Sequence, residues 1–374
     1  MLLRGWQRRR RRRILPMLLF NIMHFTYDFI NQADFLIGIA NQGPILEALT
    51  LGNGTSASRE DCIWRRGGDA DPCPDPDVRL LLYSKNGAEE VRVEVGVGKG
   101  GWLHSSAYDP TLDSVVLVHG YAGLSDTLPV GVLRDAYLRN GSYNVFAVDW
   151  GALARIPCYG AAVHNMHPVA RCLAQMLSFL RDSGVPVMRT ACVGHSLGAH
   201  VCGLAANYLN FRMHKIIGLD PARPLIRSQS RSRLDAGDAD VVQVIHTSSS
   251  FGDVRQMGRV DFCVNGGRVQ PFCSNTTNEA LCSHIRSVCY MAETLTPYER
   301  MGVPCARRCA LVDRSSQFFD RHAPPVPMGH GTPNSVSGTF CIVNNDAPYC
   351  PSSKRPIGSP LCCVPPKMPN EIPT

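Results

Sequence analysis

Residues 194–198 read Gly194-His195-Ser196-Leu197-Gly198, a G-x-S-x-G pentapeptide whose two flanks have opposite character. Upstream, Thr190-Ala191-Cys192-Val193 is an apolar, β-leaning run. Downstream, residues 199–209 are helix-permissive, with Ala205 and Ala206 near the centre. Small residues at both ends allow a sharp strand-to-helix turn that lifts the serine hydroxyl out of a sheet, a nucleophile elbow. The helix that follows would point its positive N-terminal end back at the serine, where negative charge develops during acyl transfer. The flanks give the pentapeptide its weight.

A serine on such a turn needs a carboxylate and then a histidine, in the chain order of α/β-hydrolases. The run Lys215-Ile216-Ile217-Gly218-Leu219-Asp220-Pro221 is a short buried-strand pattern ending in an acid, and Pro221 stops the strand at the sheet edge. The histidines after it are His246, His284, His322 and His330. His246 lies inside the strand-like run 241–247 and reads as structural. His330 sits among prolines and glycines. His284, in the polar loop Cys282-Ser283-His284-Ile285-Arg286 ahead of an apparent helix, is the expected base, with His330 second.

Seven motifs in order carry a wider resemblance. They are Val118-His119-Gly120-Tyr121, Val148-Asp149-Trp150, the elbow extended to Ala199-His200, Gly218-Leu219-Asp220-Pro221-Ala222, Val244-Ile245-His246-Thr247, Asp261-Phe262 with Asn265-Gly266-Gly267, and Cys282-Ser283-His284. The set resembles the animal pancreatic-lipase family over roughly residues 80–349. The resemblance implies a triad of Ser196 as nucleophile, Asp220 as orienting acid and His284 as general base and then acid. A neutral imidazole must take the serine proton during attack on an ester carbonyl, and the carboxylate holds the imidazole in the useful tautomer. The oxyanion would be met by the backbone N–H of Leu197, the residue after the nucleophile. A second N–H is implied by the resemblance at Tyr121; His119 beside it reads as loop packing. Some family members have lost the serine or histidine and serve as yolk or lipid-binding proteins. Here all three positions hold the expected residue types, so an active hydrolase is the reading and a non-catalytic lipid carrier the alternative.

The resemblance also places a disulfide-closed lid just before the base, between Cys273 and Cys282, and the segment it encloses is too short for an amphipathic helix. The loop 248–258 is short as well. Together they resemble the phospholipase A1 branch, as in insect and venom enzymes, because an open cleft mouth leaves room for a polar headgroup. Triacylglycerol lipase or galactolipase activity is the alternative. Arg233, Asp235 and Asp238 resemble the family's structural calcium loop, although the acidic residue expected a few positions earlier is replaced near Ser230. A plain acidic turn is the competing reading. No H-E-x-x-H or clustered histidines point to a catalytic metal, so no cofactor is expected for the chemistry.

Sixteen cysteines and N-x-S/T sequons at Asn53, Asn140 and Asn275 point to an oxidising, extracellular compartment. Beyond Cys273–Cys282, the expected pairings are a local Cys62/Cys73 clip and Cys305–Cys309, while Cys192 and Cys202 read as small buried apolar residues. Residues 1–40 resemble a signal segment, with Arg4 and Arg8 to Arg13 ahead of an interrupted apolar stretch; a start at Met17 competes. Removing those seven arginines takes Lys+Arg from 38 to 31, equal to Asp+Glu, so the charge gives no reason to expect a nucleic-acid partner.

The remaining organisation follows composition and periodicity. Residues 41–77 read as a linker or extension, 78–350 as the lipase-type domain and 351–374 as a Pro- and Cys-containing tail. Residues 78–83 and 91–97 read as paired edge strands across Asn86-Gly87. Residues 114–118 and 143–148 read as central parallel strands, and a helix spans 163–183 with Met166 and Met176 in its core face. The expected fold is an α/β-hydrolase, a doubly wound, mostly parallel sheet with the site at the strands' carboxyl ends. The tail leaves no room for a C-terminal β-sandwich, so colipase is not an expected partner, and contact with a membrane or lipoprotein surface would fall to loops around the cleft.

Overall fold

Strand-forming apolar runs alternate with helical stretches along the chain, and the computed structural model turns that alternation into one eleven-stranded sheet. It describes residues 62–349 except 68–69, 71, 87–88, 97–101, 103–106, 128, 227–231, 275, 277, 298, 306–308, 310–323 and 348. The segment read as a signal, the tail and the sequons at Asn53 and Asn275 lie outside the described residues.

The strands are β1 (Arg79–Asn86), β2 (Glu89–Val95), β3 (Asp113–Val118), β4 (Tyr143–Asp149), β5 (Thr190–His195), β6 (Met213–Leu219), β7 (Ala239–His246), β8 (Val260–Val264), β9 (Met301–Pro304), β10 (Val326–Pro327) and β11 (Gly338–Ile342). Their order across the sheet is β10-β9-β11-β8-β7-β6-β5-β3-β4-β1-β2. The seven from β11 to β4 are parallel, and antiparallel pairs close both edges. Continuous apolar sequence explains the parallel centre, because strands covered on both faces bury every side chain: all of β5 and β8 is buried.

Among the described residues four α-helices flank the sheet: α1 (Val130–Asn140), α2 (Tyr159–Asp182), α3 (Leu197–Ala206) and α4 (Glu279–Glu293). Val130, Leu133 and Tyr137 of α1, with Val288 and Met291 of α4, pack on one set of strand side chains that includes Leu117, Val193 and Ile217. The residues alternating with these point to the opposite face by the two-residue period of a strand. There Phe146 of β4 meets Trp102, which in turn meets Phe179 of α2. No helix among the described residues is long and apolar enough to cross a membrane.

The disulfides correct several sequence expectations. Cys62 is bonded to Cys158 and Cys73 to Cys172, so there is no local clip. Cys62 and Cys73 are thus fastened to the cap and the body of α2, and Arg65 adds bonds to Asp75 and Asp77. Cys305 pairs with Cys341 and Cys309 with Cys263. The reason is the sheet: β11 lies parallel to β8 with Cys341 opposite Cys263, so each cysteine of the 305–309 loop meets one of two adjacent strands. Cys192 and Cys202 are buried, as read, but bonded to each other. That bridge ties the strand before Ser196 to the helix after it.

Candidate active site

The elbow is set by close backbone approaches. A Cβ on Gly194 would stand 2.3 Å from the carbonyl oxygen of Gly198, and one on Gly198 would stand 2.2 Å from that of Val118. Strand β5, helix α3 and the end of β3 can come this close only because both positions lack side chains. Between them Ser196 is held at φ 58°, ψ −121°, a region that a serine adopts only when its surroundings compel it. Its N–H donates to the Leu219 carbonyl at 3.0 Å, and its own carbonyl accepts from Ala222 at 3.3 Å, which seats the serine beside the end of β6. Leu197 opens α3, where the first N–H groups have no partner within the helix.

Asp220 follows β6 and is fully buried. Its Oδ2 accepts from Nδ1 of His284 at 2.6 Å, and its Oδ1 accepts from the N–H groups of Thr247 and Ser248 at 2.8 and 3.1 Å. These donors satisfy a buried carboxylate that would otherwise be costly. The loop 248–258, read from sequence only for its length, thus wraps the acid. Gly252 comes nearest, since a Cβ there would lie 2.3 Å from both carboxylate oxygens. Neither the two backbone donors nor Gly252 was foreseen; a glycine six residues beyond the end of a buried strand was the available signal.

His284 occupies the second turn of α4, not a loop before the helix as expected. The helix starts earlier because Asn278 caps it, its side chain accepting from the Leu281 N–H at 2.9 Å, with Glu279 at the positive helix end. The Cys273–Cys282 bond is present, and Cys282 already lies in the first turn, so the lid is shorter still outside the helix. His284 lies against His195, the residue before Ser196 in the elbow. The His195 ring lies 4.6 Å from the His284 ring, and its Nε2 donates to the His284 carbonyl at 3.3 Å. Burial first, and then the neighbouring His284, keeps the His195 pKa well below the ordinary range, so this ring stays neutral.

The loop after β3 passes close to the serine: a Cβ on Gly120 would lie 2.6 Å from Ser196 Cβ and 3.2 Å from its Oγ. Tyr121, the implied second oxyanion donor, is the next residue, and its ring packs edge-on against Tyr159 at 5.1 Å. His119 is buried loop packing; Trp150 donates its N–H to His119 Nε2 at 3.0 Å and its indole N–H to the His119 carbonyl at 2.9 Å. His330 is elsewhere, with Nε2 on the Tyr137 hydroxyl at 2.6 Å and its pKa pushed down to about 4 by burial. It has no place beside Ser196 or Asp220.

At the implied calcium loop, Asp235 Oδ1 accepts from the Gly237 N–H and Asp238 Oδ2 from the Asp235 N–H, while Arg233 Nη1 donates to the Leu234 carbonyl. Among the described residues no group of three or more His, Cys, Asp or Glu side chains could hold a metal ion.

With this geometry in place, comparison with known proteins decides the family: the lipase family model matches residues 66–318. The chain belongs to the lipase family. Similar proteins of this lipase include phospholipase A1 member A of Mus musculus, 35% identical over 274 residues that make up 68% of this chain and 59% of the mouse protein. Phospholipase A1 VesT1.02 of Vespa tropica is 31% identical over 64% of this chain and 84% of its own. The chain thus spans less than two thirds of the mouse relative's length and most of the wasp protein's. Among solved structures, a phospholipase/carboxylesterase from Dyadobacter fermentans aligns over 36% of this chain and 64% of its own, at 13% identity and a TM-score of 0.27. As a member of the lipase family, the protein is a carboxylic ester hydrolase of α/β-hydrolase fold.

Proposed function

We propose that this lipase is a secreted phospholipase A1-type hydrolase that cleaves the sn-1 acyl ester of glycerophospholipids through an acyl-enzyme on Ser196. The observation that carries the reading is the 2.6 Å bond between Asp220 and His284, beside a serine held in an elbow. In the forward step His284 Nε2 takes the Ser196 proton as Oγ attacks the ester carbonyl. Asp220 keeps Nδ1 protonated and stabilises the imidazolium, and the N–H groups of Leu197 and Tyr121 receive the oxyanion. His284 then protonates the leaving alcohol, and water repeats the sequence to free the fatty acid.

Relatives named phospholipase A1 and the short Cys273–Cys282 lid support the phospholipid reading. Lipid contact is further supported by Leu124, Val269 and Phe272, exposed apolar residues on loops after β3 and β8, at the same sheet edge as Ser196. Disulfides, both local and between distant segments, support an extracellular setting. Neither colipase nor a nucleic acid enters the reading. A structural calcium would use Asp235 and Asp238 with the Arg233 backbone; it has no part in the chemistry. Its test is the melting temperature at pH 8 with and without millimolar calcium.

The test of activity is mass-spectrometric product analysis on a phosphatidylcholine with different sn-1 and sn-2 chains, mixed with a triglyceride. Release of the sn-1 chain with the triglyceride intact is expected. Triglyceride cleavage alone overturns the phospholipid reading, and undiminished hydrolysis by Ser196→Ala overturns the nucleophile. No hydrolysis, with Ser196 unlabelled by a phosphonate, would make the protein a lipid carrier.

A further inference from the structure

The molecule contains a second buried histidine–aspartate pair, outside the triad. His246 ends β7 and Asp261 lies on β8; both side chains have 0% exposure, and His246 Nε2 sits 2.8 Å from Asp261 Oδ1. Nδ1 of the same ring faces the backbone carbonyl of Asp253. A carbonyl only accepts, so Nδ1 must carry a proton. Nε2 meets a carboxylate that also accepts the N–H groups of Met257 and Gly258, each at 3.0 Å. Two backbone donors favour the ionised form of Asp261, so Nε2 carries a proton as well. Both ring nitrogens thus face acceptors, the arrangement that suits an imidazolium.

The position of this cation links it to the acid of the triad. The loop leaving His246 gives Asp220 the N–H groups of Thr247 and Ser248 and the bare backbone of Gly252. Residue 253 then returns, its N–H donating to the Pro221 carbonyl at 3.0 Å and its carbonyl accepting from His246. One histidine thus closes the loop that grips Asp220. The charged groups around it are Asp261 from β8, Asp220 after β6, and Asp253, whose carboxylate is engaged by Arg255; His284 lies beyond Asp220. Without a positive ring, Asp220 and Asp261 would be two buried carboxylates with only neutral and backbone donors and the His284 ring between them.

We propose that His246 is a positioning residue, a permanent buried imidazolium that clasps the 247–253 loop around Asp220 and holds that acid against His284. The inference rests on reading Asp220 as the orienting acid. Burial opposes the charge on His246, while the bond and charge of Asp261, then the charge of Asp220, raise its pKa above the ordinary histidine value.

The first test needs no activity. In uniformly 15N-labelled protein at pH 8, long-range proton–nitrogen spectra should show one histidine with both ring nitrogens protonated, missing from His246→Gln and converted to a neutral ring in Asp261→Asn. A neutral His246 at pH 8 overturns the proposal. The second test is kinetic, in His246→Gln and Asp261→Asn. In His246→Gln the cation is lost while Asp261 remains, which removes repulsion on the His284 imidazolium, so the acid limb of kcat/KM should move up by about half to one pH unit; in Asp261→Asn the anion is lost with the cation and the move should be smaller. In His246→Gln kcat should also fall about ten- to a hundredfold with little change in KM. A fall in kcat with an unmoved limb in His246→Gln would make His246 a packing residue and sink the proposal. Full activity in Asp220→Asn would sink the triad reading instead, and the ring state of His246 by NMR keeps the two failures apart.

Discussion

Gly252 lies over the carboxylate of Asp220 so closely that a methyl group there would stand 2.3 Å from both oxygens. Backbone, not side chain, covers the acid on that side, and neighbouring N–H groups point at it. Gly252→Ala should push the carboxylate away from His284 and lower kcat about a hundredfold, since shifts near 1 Å at a reacting group cost that much. Unfolding should cost about 1–3 kcal/mol less than in the wild type. Steady-state kinetics and denaturant titration read both.

Asp220→Asn keeps the shape but presents an amide where a carboxylate is needed. The His284 ring would then settle in the wrong tautomer, and kcat should fall by about 10⁴, the magnitude known for this change in serine proteases. Phosphonate labelling of Ser196 should slow in parallel. A loss below tenfold would remove Asp220 from the triad.

Gly120→Ala places a methyl group 2.6 Å from Ser196 Cβ. The loop must retreat and take the Tyr121 N–H with it, so turnover should fall about a hundred- to a thousandfold, as for loss of one oxyanion donor. Substrate binding should change far less. A KM effect without a kcat effect would place the second donor elsewhere.

Burial pushes the Asp238 carboxyl up to about 7, against the opposing hydrogen bond from the Asp235 N–H and with the Asp235 charge adding to the rise. The folded protein therefore holds a proton there that the unfolded chain, with an ordinary value of 3.8, releases. That contribution is complete below about pH 4 and is lost as pH rises through about 7, on the order of a few kcal/mol. Asp238→Asn should flatten this part of the stability profile, measured by urea denaturation between pH 4 and 8. An unchanged slope would assign it to other groups.

The Cys192–Cys202 bridge spans the elbow. Replacing both cysteines by alanine should lower stability by about 2–4 kcal/mol, as for loss of a short-loop disulfide. Activity at low temperature should survive, because Gly194 and Gly198 still allow the turn. Complete inactivity in a folded variant would give the bridge a direct part in holding Ser196.

What the amino-acid sequence determined by itself was everything carried by local pattern and order. The strand–turn–helix around Ser196, the run into Asp220, the central strands and the long amphipathic helix each declare themselves within about ten to twenty residues, because periodicity and turn chemistry are local. The lid pair Cys273–Cys282 followed from the family resemblance, not from spacing, since Cys305 and Cys309 are closer in sequence and do not pair. Tertiary structure alone decided what depends on which strands lie side by side. Cys305 and Cys309 meet Cys341 and Cys263 because β11 packs beside β8, and Cys62 and Cys73 reach α2, nearly a hundred residues away. The same holds for the closed ring of contacts around Asp220, where Thr247, Ser248 and Gly252 act through their backbones and leave little trace in residue type. Burial made the last difference: His246 and His284 are the same residue type, and only desolvation and the partners of each ring nitrogen give them separate roles.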